Sequence, residues 1–202
     1  VDEANRQGLP VAVHAHGVEG IKQAVQAGVR SIEHGTYIDE EAIALMVRHG
    51  TYFVPTIYIG DYYSEMRTLR AQGKNDDYAE NYRHIFLAMV GKAHAAGVKI
   101  AVGLDLGGYN MDPKLYVREF NVLMEAGMTA MEAIKAGTSV AAELLMWDRL
   151  GTLEKGQLAD IIAVSGNPLE DINCLVNIDF VMMDGNPVKL PGKVSDLRGI
   201  LD

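Results

Sequence analysis

One pattern recurs along this chain and narrows its fold more than anything else. A helical apolar stretch runs to a glycine, and a short β-branched run follows at once. "IKQAVQAGVRSIEHG" pivots on Gly28, "EAIALMVRHGTYFVPT" on Gly50 and "IFLAMVGKAHAAGVKIAVGLD" on Gly97, and "QGLPVAVHAHG" is the tail of another such unit around Gly8. Glycine just past a helix takes the left-handed conformation that closes the last turn, and a strand leaves from there. Asp39, ahead of "EEAIALMVRH", is placed to cap a helix whose first turn is acidic. Alternating helices and strands at this spacing predict an α/β fold with parallel strands near residues 10–14, 30–34, 52–57 and 99–104.

A doubly wound sheet and a TIM-like (β/α)8 barrel both satisfy that pattern. The unusual residues favour the barrel. His14 and His16 end the first run, His34 the second, Thr56 the third and Asp105 the fourth. Polar groups at the carboxyl ends of successive strands are how a barrel builds an active site. From about Gly151 the pattern changes. "GTLEKGQLADIIAVSGNPLEDI" and "IDFVMMDGNPVKL" are short apolar runs broken by Gly, Asn and Pro, which predict β-structure outside the barrel. The expected division is therefore a barrel portion over 1–150 and a β-sandwich portion over 151–202. The polar stretch 60–77, "GDYYSEMRTLRAQGKNDD", is long for a connection and is expected to be a helical insertion or lid, or else a solvated loop.

Composition removes several classes of function. A net charge of −9 over 202 residues argues against nucleic acid, whose phosphates need a basic face. No apolar run is long enough to span a bilayer as a helix. A single cysteine, Cys174, excludes a disulfide framework within the chain and fits a reducing, cytoplasmic setting.

His14 and His16 lie two apart, so in an extended chain both imidazoles point to one face. With His34 and Asp105 they form a donor set suited to a divalent transition ion such as zinc. Each also has an ordinary reading: a hydrogen-bonded surface histidine, or for Asp105 a turn aspartate ahead of two glycines. Their fall on consecutive strand ends favours the metal. A carboxylate beside an ion-activated water implies hydrolysis. The chain has no G-x-S-x-G elbow, and Ser139 lies in a helical run. "GLDLGG" lacks the Lys-Ser/Thr pair of a phosphate loop, so nucleotide binding is not expected. His49, His84 and His94 sit in helical stretches and read as surface or packing residues.

"VAVHAHG", "SIEHG", "FVPT", "VGLDLGG" and, above all, "GTLEKGQLADIIAVSGNPLEDI" resemble, in this order, the second half of amidohydrolase-superfamily enzymes. The likeness is to their imidazolonepropionase-like branch, which includes prolidase-like, metal-dependent Xaa-Pro dipeptidases. It implies strands five to eight of the barrel plus the C-terminal strands of a small β-sandwich. It also implies His14 and His34 as ligands to one or two zinc or similar ions, and Asp105 as both ligand and general base. His16 stands where many relatives carry an acid, and is expected near the substrate with Tyr37 and Tyr58. The superfamily's "H-x-H" of strand one and carboxylated lysine of strand four have no counterpart here. An N-terminal half, as a separate or cleaved chain, is thus expected as a partner, with homo-oligomerisation. The implied reaction is hydrolysis of an amide in a dipeptide or N-acyl amino acid. A cyclic-amide hydrolase or deaminase, or an inactive fragment, are the alternatives.

Overall fold

The computed structural model describes residues 1–70, 82–105 and 112–191. In chain order the elements are α1 (Asp2–Arg6), β1 (Ala12–Ala15), α2 (Val18–Gln26), β2 (Ser31–His34), α3 (Glu40–His49), β3 (Tyr52–Val54), α4 (Ile57–Arg70) and α5 (Arg83–Ala95). A 3-10 turn (Pro113–Tyr116) leads into α6 (Val117–Glu125), then α7 (Ala130–Ala136) and α8 (Ser139–Leu144). The last part holds β4 (Ile161–Val164), a second 3-10 turn (Ile172–Val176), β5 (Ile178–Met183) and β6 (Asn186–Lys189). Two three-stranded sheets result. β1, β2 and β3 lie side by side and parallel, whereas β4, β5 and β6 are antiparallel.

The junctions follow from local chemistry. Gly8, Gly28, Gly50 and Gly97 all have positive φ. At Gly50 the left-handed turn (φ 66°) ends α3, and the chain re-enters the sheet two residues later. Asp39 caps α3 as expected, accepting from Ala42 N at 2.8 Å. Thr129 and Glu132 form a reciprocal capping box at α7.

Strand alternation sorts the first sheet into two faces. Ile32 and Phe53 point to the helices and are wholly buried, among Ile21, Val25, Ile43, Met46 and Val90. Ala12, Ser31, Glu33 and Val54 point the other way and line an open cavity of about 420 Å3 together with Gly103, Leu144 and Leu145. His14 shares this second face with Ala12 and stands at the carboxyl end of β1.

Two expected strands are shorter than the sequence indicated. The third stops at Val54 because Pro55 has no N–H to continue the ladder, and Ile57 already begins α4. The fourth, expected over 99–104, is reduced to one parallel bridge between Phe53 and Ile100. The next amide, Ala101 N, donates to Phe53 O (2.9 Å), and the one after it, Val102 N, donates to Ala136 O at the end of α7 (3.0 Å). The expected helical insertion is helix through Arg70, and the remainder of that stretch, 71–77, lies outside the described residues. Among the described residues no helix is long and apolar enough to cross a membrane. The second sheet is tied back to the first part of the chain. Ile172 and Leu175 enter the main core, and the Tyr116 hydroxyl donates to Leu175 O.

A cluster of imidazoles at the strand ends

β1 and β2 are adjacent and in register, Ala15 opposite His34, so their carboxyl ends deliver side chains to one place. His14 is the last residue but one of β1, His16 follows the strand and His34 closes β2. One ring nitrogen from each lies within 4.8 Å of the others. The rings are 4.4 Å (His14–His34), 4.7 Å (His14–His16) and 5.0 Å (His16–His34) apart, centre to centre. They line a cavity of about 520 Å3 with Asp105, Thr36, Thr56 and Tyr37, walled on one side by Pro55, Ile59, Tyr63 and Phe86.

The backbone is bent to make this convergence. His34, Thr56 and Asp105 all have positive φ, at 71°, 47° and 50°. Each such residue costs on the order of 1–3 kcal/mol and persists only where its surroundings over-determine it. For His34 the following glycine is part of the reason. A Cβ on Gly35 would stand 2.6 Å from the Phe53 ring. Gly35 N instead donates to Ala15 O at 2.9 Å, which extends the β1–β2 pairing past the bend.

Two threonines hold the rings from behind. His16 Nδ1 lies 2.8 Å from Thr36 Oγ1, and His34 Nδ1 lies 2.7 Å from Thr56 Oγ1. Burial pulls the basicity of His16 below its ordinary value, and His14 adds to this while Asp105 opposes it. His34 is shifted the same way, by burial first and then by His14 and His16, again with Asp105 opposing. Neutral imidazoles are the form that binds metals.

The expected residues therefore divide. His14, His16 and His34 are brought together, and His16 falls in the same cluster rather than apart from it. Asp105 lines the same cavity and its charge acts on His16 and His34, although among the described residues the group within 4.8 Å is made of the three imidazoles. Tyr37 stands at the cavity, half exposed, its ring edge-on to Tyr82 at 5.6 Å. Tyr58 requires a correction. It is 5 % exposed, packs in the main core and does not line the cavity, because the first turn of α4 carries its side chain inward. His94, partly exposed on α5, lies 3.4 Å from Glu132.

Sequence reasoning missed Thr36 and Glu119, and it placed Thr56 at a strand end without giving it a role. Glu119 is fully buried in α6, and its two carboxyl oxygens accept from Ile57 N (2.9 Å) and Tyr58 N (2.8 Å) at the start of α4. Burial lifts its pKa to about 7, against the lowering effect of those two amides. The available signal was its position. Tyr116, Glu119, Phe120 and Leu123 form one i, i+3, i+4, i+7 stripe, and an acid on an apolar stripe needs a partner.

Comparison with known proteins identifies the family of the chain. The amidohydrolase family model matches residues 1–188. Ochratoxinase of Aspergillus niger is 34 % identical over 203 residues, covering 95 % of this chain and 40 % of that protein. Imidazolonepropionase of Rhizorhabdus wittichii is 31 % identical over 166 residues, covering 79 % of this chain and 37 % of that protein. The crystal structure of a Xaa-Pro dipeptidase with bound methionine in the active site superposes with a TM-score of 0.82 at 43 % identity. It covers 93 % of this chain, which spans 47 % of that one. The chain thus spans less than half the length of these relatives, and it belongs to the amidohydrolase family.

Proposed function

We propose that this amidohydrolase-family chain carries part of a metal-dependent hydrolytic site that cleaves an amide bond in a dipeptide or N-acyl amino acid. The observation that carries the reading is the convergence of three imidazoles from two neighbouring strand ends, within 4.8 Å, in a cavity that also receives Asp105. The donor set fits zinc or a similar divalent ion. His16 and His34 are depressed in basicity, and their Nδ1 atoms are already engaged by hydroxyls, which leaves Nε2 for a ligand role. His14 and His34 would hold the ion. His16 would face the substrate carbonyl or, as its place in the cluster favours, serve as a third donor.

An ion held there would acidify a water and polarise the scissile carbonyl. The chain's own part in the chemistry falls to Asp105. Its carboxylate takes a proton from the attacking water and returns it to the departing nitrogen, so that the amine leaves neutral. The wall of Pro55, Ile59, Tyr63 and Phe86 offers apolar surface to a side chain, with Tyr37 at the rim. Methionine in the site of the related dipeptidase supports an apolar amino-acid residue there. Similarity to an imidazolonepropionase favours a second reading, in which the bond is part of a cyclic amide.

The open face of the first sheet supports an N-terminal barrel half as partner, with this chain supplying strands five to eight over 1–150 and sandwich strands over 151–202. In the intact protein, which we expect to be a homo-oligomer, metal analysis should find one or two divalent ions. Turnover should be measured on N-acyl amino acids, dipeptides and cyclic amides. Hydrolysis of none of these by metal-loaded protein would sink the reading.

A further inference from the structure

Thr56 Oγ1 makes two short contacts, to His34 Nδ1 at 2.7 Å and to its neighbour Pro55 O at 2.8 Å. A hydroxyl has one proton, and a carbonyl oxygen can only accept. Both contacts are satisfied in one arrangement, with the hydroxyl donating to Pro55 O and accepting from His34 Nδ1–H. The proton of a neutral His34 then sits on Nδ1, and its lone pair is left on Nε2.

The hydroxyl stands there because the backbone under it is held from both sides. Pro55 precedes it, and Thr56 itself is left-handed at φ 47°. The next two amides, Ile57 N and Tyr58 N, both end on the carboxyl of Glu119, which reaches in from α6 and is fully buried. Across the sheet, Gly103 leaves room for the bend, since a Cβ there would come within 3.2 Å of the Thr56 methyl and 2.3 Å of Val54 Cγ1. Glu119 therefore acts on Thr56 through two consecutive peptide groups, and Thr56 acts on His34 through one hydrogen bond.

We propose that Thr56 and Glu119 are positioning residues, Thr56 locking His34 in the Nδ1–H form with Nε2 aimed into the cavity, and Glu119 fixing the strained turn that places the Thr56 hydroxyl. The inference rests on the reading of His34 as a metal ligand for its consequence, while the tautomer itself is independent of any reaction. Outer partners of ligating histidines change metal affinity by about 10–100-fold when removed. The carboxyl-to-amide change in Glu119→Gln puts an NH2 group against one of the two backbone amides, so it loosens the turn without emptying the space.

The test uses the intact protein with uniformly 15N-labelled histidine, observed free of metal by long-range 1H–15N correlation, and zinc affinity by competition with a chelator. In the wild type the His34 ring should show a pyrrole-type Nδ1 and a pyridine-type Nε2. Thr56→Val should lose that fixed signature and weaken zinc binding about 10–100-fold, Glu119→Gln should weaken it to a smaller extent, and Thr56→Ser should restore wild-type values. A pyridine-type Nδ1 on wild-type His34 overturns the proposal, and so does undiminished zinc affinity in Thr56→Val. Should Thr56→Val fail to fold, the wild-type tautomer and the Thr56→Ser affinity still decide. Zinc bound with the wrong tautomer defeats this inference alone, whereas the right tautomer with no zinc bound defeats the metal reading.

Discussion

The two faces of the parallel sheet are built from the same three short strands and have opposite characters. The helix-facing side is dense and dry: Ile32 and Phe53 are 0 % exposed, and both sit in unstrained strand conformation. The other side is mixed: Ala12, Ser31, Glu33 and Val54 line an open cavity, and His14 stands on the same face at the end of β1. Left-handed, non-glycine residues gather at its rim, at His34, Thr56 and Asp105. The contrast shows where stability and chemistry are kept. One face contributes the burial that holds the sheet, and the strand ends use part of that stability to keep bent backbone and clustered imidazoles in place.

Substitutions on the two faces should therefore fail differently. The largest effect is expected at the rim. Asp105→Asn in the intact protein should lower turnover about 10²–10⁴-fold with an unchanged melting temperature, checked by steady-state kinetics beside calorimetry. Full activity in that variant would remove Asp105 from the chemistry. On the helix side, Phe53→Ala should cost about 3–5 kcal/mol of stability, read from denaturant unfolding, because the ring is wholly buried in the main core. Were that loss under 1 kcal/mol, the two faces would not differ as described.

Glu119 joins the faces, since it is buried among helices and yet holds the rim, and its effect should be intermediate. Its folded pKa is raised from 4.5 to about 7 by burial. The folded state then keeps a proton that the unfolded state has released, so this group's contribution is fullest below about pH 4.5 and declines as pH rises through 7. The decline amounts to about 3 kcal/mol. Urea unfolding from pH 5 to 8 should show wild-type stability falling relative to Glu119→Gln, and parallel curves would contradict this. The smallest effect is expected at Tyr37, which is 52 % exposed at the cavity mouth. Tyr37→Ala should raise KM several-fold while leaving kcat and the melting temperature nearly unchanged, and a drop confined to kcat would place the ring elsewhere in the reaction.

What the sequence disclosed divides along the same line. The helix–glycine–strand joints were legible because a left-handed glycine is a local requirement that leaves a local mark, as at Gly28 and Gly50. The histidines were legible because unusual residues at strand ends stand out against apolar runs. The fourth strand was overestimated because "KIAVGL" has the composition of a strand, while its neighbour β3 ends at Val54 and Pro55 has no N–H to make the next rung, a circumstance that leaves no trace in the run itself. Tyr58 was misplaced because a residue just past a strand points to the cavity or to the core according to how the next helix starts. Thr36 went unnoticed, and Thr56 had a strand-end position but no role, for a related reason. Thr36 and Thr56 are ordinary loop residues until the bends at His34 and Thr56 bring hydroxyl and ring together, and no pattern of residue types announces a left-handed threonine.

The most direct test of the central claim is an anomalous-difference map of the intact protein crystallised with zinc, recorded on either side of the zinc edge. The account predicts a peak in the cavity about 2.0–2.1 Å from a ring nitrogen of His14 and from Nε2 of His34. A map with no peak there, or with zinc held only by residues away from these strand ends, would contradict it.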